Sequence, residues 1–171
     1  MKWRLLPFFL LWRLSASDAI PPFHGQTFSD TPVALPADLH GRLGILVIGF
    51  SKKSSAQTGA WNKPLLKDYG NDPHIAYYQC AVLADVPVFV RSMVLKSIRS
   101  PMPPAERSHF IPVQSDSSKW KEAVRFSAPD DAYILVVDPA GQIQWRTHGV
   151  ESPDAYHALT DYVAALQKAA H

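Results

Sequence analysis

The chain has 171 residues, 47% of them hydrophobic and 19% charged, with 15 prolines and eight glycines spread along its length. This suits one globular domain with a proper core and excludes a low-complexity chain. The formal net charge of +2 comes from Lys2, Arg4 and Arg13 against Asp18; beyond residue 19 the chain carries 14 basic and 14 acidic groups, which leaves no clustered basic face for a nucleic-acid partner.

Lys2 and Arg4 precede an apolar run from Leu5 to Trp12, and small residues follow to Ala19. A charged start, a short apolar stretch and a Ser17-x-Ala19 pattern predict an export signal or membrane-proximal leader over 1–19. The run falls short of the roughly 20 residues that cross a bilayer. Residues 20–171 then form the domain, with an extracytoplasmic (periplasmic or membrane-face) location expected.

Residues 20–39 are short-strand and turn material. Gly44 to Phe50 is a continuous apolar run of strand length, suited to burial on both faces. A polar loop, 51–59, leads to a helix expected over Trp61–Tyr69. Ile75 to Leu83 predicts a second strand. Asp85 is placed to cap a helix over about 86–99, which Ser100-Pro101-Met102-Pro103-Pro104 stops. A short strand over His109–Val113 and a helix capped by Asp116 or Ser117 follow. Ala132 to Val137 predicts another buried strand, Asp138-Pro139-Ala140-Gly141-Gln142 a tight turn, and Ile143 to Arg146 a strand with one wet face. Ser152-Pro153-Asp154 opens a last amphipathic helix. The order predicts an α/β sandwich: a central mixed sheet with a C-terminal β-hairpin, flanked by helices.

That order, and the stretch from Ala132 to Gly149 above all, resembles the thioredoxin-like (redoxin-type) superfamily. A narrower resemblance is to the thioredoxin-fold assembly factor of the mitochondrial F-type ATP synthase and its bacterial relatives. It rests on the helix Asp85–Arg99, the segment Ile98–Arg107, and Asp131 through Trp145.

The resemblance places the redox site after the first core strand, at Ser55-Ala56-Gln57-Thr58. The chain has one cysteine, Cys80, so neither a Cys-x-x-Cys pair nor a peroxidase cysteine exists there. Ser55 and Thr58 occupy the degenerate positions, and a hydroxyl cannot exchange with a disulfide. The resemblance also puts Ala132 where the superfamily has its cis-proline, so a trans peptide is expected there. Cys80 lies in a strand, where a free cysteine behaves as a small hydrophobe; a redox role for it is the alternative. No two of the seven histidines lie two to four residues apart, so no metal ligand pattern emerges and no cofactor is expected.

On the 86–99 helix, a step of about 100° per residue gathers Val86, Phe89, Val90, Met93, Val94 and Ile98 into an apolar stripe that would dock on the sheet. Val88, Arg91, Leu95 and Arg99 then face outward as a candidate partner-binding surface. Such a mixed face suits a protein groove or the headgroups of a membrane surface. The expected function is that of a non-catalytic, exported or membrane-associated binding or assembly factor for a protein complex, with a membrane complex as partner. The alternative is a thiol-dependent antioxidant or one-cysteine oxidoreductase acting through Cys80.

Overall fold

Ile45, Leu46, Val47 and Ile48 have no exposed surface, because both faces of their strand are covered. The computed structural model describes residues 18–169. Strands β1 (Phe23–Gln26) and β2 (Pro32–Leu35) lead through a helical turn at Ala37–Leu39 into β3 (Leu43–Gly49). Helix α1 (Ser55–Tyr69), β4 (Ile75–Val82), α2 (Val88–Arg99), α3 (Pro104–Arg107) and β5 (Phe110–Val113) follow. Helix α4 (Ser117–Val124), β6 (Tyr133–Val137), β7 (Ile143–His148) and α5 (Pro153–Ala169) complete the described chain.

The central sheet has the order β5-β4-β3-β6-β7, and β1 and β2 form a separate antiparallel pair. β3 runs parallel to β4 and antiparallel to β6, so the two apolar runs are neighbouring central strands, as expected. Alternation along the strands divides the core. Ile45, Val47, Ile134 and Val136 pack against Trp61 and Leu65 of α1 and Leu159 and Val163 of α5. Leu46, Ile48, Cys80, Leu135 and Val137 pack on the other side with Trp120 of α4 and with Phe23, Val33 and Leu35 of the β1–β2 pair. The β6–β7 turn is held by Asp138, whose Oδ1 accepts from the amides of Ala140 and Gln142, each at 2.9 Å. Gly141 supplies the positive φ of 82° that this turn requires.

Several boundaries differ from the sequence expectation. α1 begins at Ser55 rather than Trp61, and the polar composition of that first turn conceals it. α2 begins at Val88 after an extended Pro87. Asp85 is not its cap; the carboxylate takes Ser117 Oγ at 2.8 Å and Lys121 Nζ at 2.7 Å instead. Asp116 stands at the N-cap of α4 but makes no capping hydrogen bond with its side chain.

Of the expected leader, residues 1–17 lie outside the described residues. Asp18 and Ala19 join the domain. The Ile143 amide donates to the Asp18 carbonyl at 2.7 Å, Ala19 bridges to Gln142, and the Asp18 carboxylate pairs with Arg146.

Candidate functional site

The turn between β3 and α1 is the place of the missing dithiol. Gly49 lets the helix come close: a Cβ there would stand 2.7 Å from Ser54 Oγ. Ser54 is buried, donates to the Ser51 carbonyl at 2.8 Å and accepts from the Ser51 amide at 3.3 Å. Ser55 is exposed, and its hydroxyl donates to the Lys52 carbonyl at 2.6 Å. Thr58 is buried; it donates to the Ser55 carbonyl at 3.2 Å and accepts from Gln79 Nε2 at 3.3 Å. Both hydroxyls are spent on local structure, and among the described residues no base is hydrogen-bonded to either, so nothing there activates them as nucleophiles.

The residue between them does more. Gln57 Oε1 accepts from the amide of Ala132 at 3.1 Å, and its Nε2 lies 3.5 Å from Asp131 Oδ1. Asp131 Oδ2 is 2.7 Å from His148 Nδ1. Trp61 Nε1 donates to the Gly149 carbonyl at 2.9 Å, and Ser51 Oγ to Asp130 Oδ1 at 2.9 Å. Proline has no amide hydrogen, so the Gln57–Ala132 bond is one that a proline at 132 could not make. The peptide before Ala132 is trans; among the described residues the cis bond is Leu35–Pro36. Where a thiol enzyme keeps an open platform, this chain has a brace from α1 to the start of β6.

Cys80 is a free thiol buried in the core, paired across β4 with Ile48 and Ile111. Burial pushes its pKa up to about 12, so the thiolate that redox chemistry needs is suppressed at neutral pH. Among the described residues no group of three or more His, Cys, Asp or Glu could hold a metal ion.

α2 is turned relative to the sequence expectation. Val90, Val94 and Ile98 are half-buried as expected, but so are Arg91, Leu95 and Arg99, which were expected outside. The guanidinium of Arg91 donates to the carbonyls of Ala84 at 3.1 Å and Val86 at 2.9 Å. Arg99 pairs with Asp30 at 2.7 Å, and Leu95 and Arg99 line a cleft of about 840 Å³ between α2 and β1. Only Val88 of the four faces outward as expected. Phe89 and Met93, expected inside, are exposed: Val88, Phe89 and Met93 keep 77%, 85% and 67% of their surface open. The reason lies in the loop. Pro87 is extended, Val86 falls outside the helix, and Arg91 is drawn inward by the loop carbonyls. No α2 residue is fully buried or joins either core cluster. Sequence reasoning missed Phe89 and Met93 because apolar residues occur on every side of this helix; only the stop at Pro87 hinted at the register.

The profile of the family described as ATP10 protein matches residues 6–166. Among curated proteins, none matches the chain significantly. Solved structures similar to it include the thioredoxin domain of a thiol-disulfide oxidoreductase from Bacteroides vulgatus, with 17% identity, 88% of this chain and 99% of that one covered, and a TM-score of 0.58. BsSco, a member of the Sco family of cytochrome c oxidase assembly proteins, is similar at 14% identity over 86% of this chain and 92% of its own, TM-score 0.56. The exposed lipoprotein thioredoxin Etrx1 of Streptococcus pneumoniae is similar at 13% identity over 83% and 99%, TM-score 0.56. At such identities the likeness establishes the thioredoxin fold and no activity.

Proposed function

The chain belongs to the ATP10 protein family, a family of ATP synthase assembly factors, and from that membership we propose that it serves as a non-redox assembly factor that holds a protein partner through α2. The observation that carries this reading is the exposed apolar face of Val88, Phe89 and Met93. Burying three such side chains would contribute roughly 1.5–3 kcal/mol each, yet the fold leaves them in water. Large apolar side chains left open together on one helix suit an interaction surface. The partner we propose is a subunit of the ATP synthase. The redox alternative lacks support, because Ser55 and Thr58 are spent on local hydrogen bonds and Cys80 is shielded.

The location we propose is extracytoplasmic, at a membrane face, on the strength of the charged and apolar start of the sequence. No helix among the described residues is long and apolar enough to cross a membrane. A photo-crosslinking side chain at position 89 in the native host tests the proposal. An adduct with an ATP synthase subunit is expected there and none from position 154 on α5. Equal adducts from both positions, or none with the synthase, would contradict it.

A further inference from the structure

We infer that the partner segment held by α2 is an amphipathic helix, which lays apolar side chains on Phe89 and Met93 and sets a carboxylate against Lys96; this rests on the partner-binding reading above. Phe89, Met93 and Lys96 are all exposed. They stand at i, i+4 and i+7 of α2, so they share about 60° of the helix circumference and about 10 Å of its length. Two large apolar side chains and one cation therefore form a single ridge. Ser92 and Ser97, also exposed, flank it with small side chains. The shallow grooves they leave let a second helix pack at the usual interaxial distance of about 8–10 Å.

The backbone around this ridge selects a helix over a strand. Along α2 the polar groups bond one another, from the Val90 amide on the Pro87 carbonyl at 3.1 Å to the Ser100 amide on the Lys96 carbonyl at 2.9 Å. The nearby sheet edge is closed as well. Phe28 N donates to Phe110 O at 3.0 Å, which ties the chain just after β1 to β5. Pro112, which lines the same cleft as Lys96, has no amide to give. A segment drawn out of water along α2 finds no backbone partner there, so it must satisfy its own amides and carbonyls. A helix does this internally.

Charge selects the sequence of that helix. α2 carries three cations, Arg91, Lys96 and Arg99, and no acidic residue. Arg91 is held by the carbonyls of Ala84 and Val86, and Arg99 by Asp30 at 2.7 Å. Lys96 pairs with no carboxylate among the described residues. A partner that covers Phe89 and Met93 also crowds this ammonium. A Glu or Asp one turn beyond the apolar contact answers its charge, and a Lys or Arg there meets repulsion.

The test uses the full chain and labelled helical peptides with two leucines one turn apart and a glutamate one turn beyond at each end, so that a carboxylate reaches Lys96 in either orientation. One counterpart has lysine for glutamate, and another has proline between the leucines. The glutamate peptide should bind, gain helical circular dichroism, and bind about fivefold tighter than the lysine peptide at low salt. Lys96→Glu, at an exposed and unpaired position, should reverse that preference, and the proline peptide should not bind. Failure of the glutamate peptide to bind, a preference that Lys96→Glu leaves unmoved, equal binding of the proline peptide, or binding of anionic vesicles in place of the peptides would overturn the inference. Synthase capture through α2 with an unmoved peptide preference sinks this inference alone. A reversed preference with synthase capture intact in the Phe89→Asp, Met93→Asp double variant sinks the α2 reading alone.

Discussion

The side-chain carbonyl of Gln57 accepts the backbone amide of Ala132 over 3.1 Å, which ties the degenerate active-site turn to the position a cis-proline would hold. Ala132 has no exposed surface, so its amide has no ready substitute in water. Gln57→Ala should destabilise the fold by about 1–3 kcal/mol, the cost of orphaning a buried donor. Ala132→Pro should cost at least as much, because it removes the donor and constrains the backbone. Denaturant unfolding measures both; an unchanged midpoint in either variant would mean that the brace has no structural role.

Arg91 donates to two loop carbonyls, those of Ala84 and Val86. Arg91→Ala should therefore cost about 1.5–3 kcal/mol of stability, in the range of hydrogen bonds from charged donors. Phe89→Asp, at an exposed position, should stay within about 0.5 kcal/mol of wild type. Thermal unfolding of the two variants distinguishes an inward residue from an outward one on the same helix, and the reverse order of effects would reject the assigned rotation of α2.

Cys80 should resist a thiol reagent in the folded protein and react promptly once denaturant is added. Its burial also predicts a pH dependence. The thiol titrates near its ordinary 9.0 when unfolded and near 12 when folded. Between those values the unfolded state has released a proton that the folded state keeps. Stability therefore falls as pH rises through this window, by about 1.4 kcal/mol per pH unit from this group. Buried tyrosines such as Tyr77, also raised by burial, titrate at high pH too, so the comparison is with Cys80→Ala, whose alkaline slope should be shallower by that amount. Parallel slopes would show that the thiol is not shielded.

Asp18 is held below the usual carboxylate range, first by its hydrogen bond to Arg146. The stabilisation it provides is present above the unfolded carboxylate pKa of about 3.9 and is lost as pH falls through the lower folded value. Asp18→Asn should thus be less stable than wild type at neutral pH and match it in strong acid. A gap that stays constant with pH would remove charge from the explanation.

The sheet was legible because its strands are coded redundantly. Gly44 to Phe50 and Ala132 to Val137 are apolar throughout, and Asp138 and Gly141 mark the turn from β6 to β7. The site was legible as an absence, since a single cysteine excludes a dithiol wherever the fold places it. The Gln57–Ala132 brace was not legible, because it joins residues far apart in sequence through one amide. Nor was the rotation of α2, whose apolar residues occupy all sides; the choice fell to Pro87 and to the carbonyls that hold Arg91.

The most direct test of the account is quantitative affinity capture from membranes of the native host, comparing wild type, Cys80→Ala and the Phe89→Asp, Met93→Asp double variant at matched folded protein levels. ATP synthase subunits should be enriched equally by wild type and Cys80→Ala and lost from the double variant. Capture that survives in the double variant but disappears with Cys80 would contradict a non-redox assembly factor working through α2.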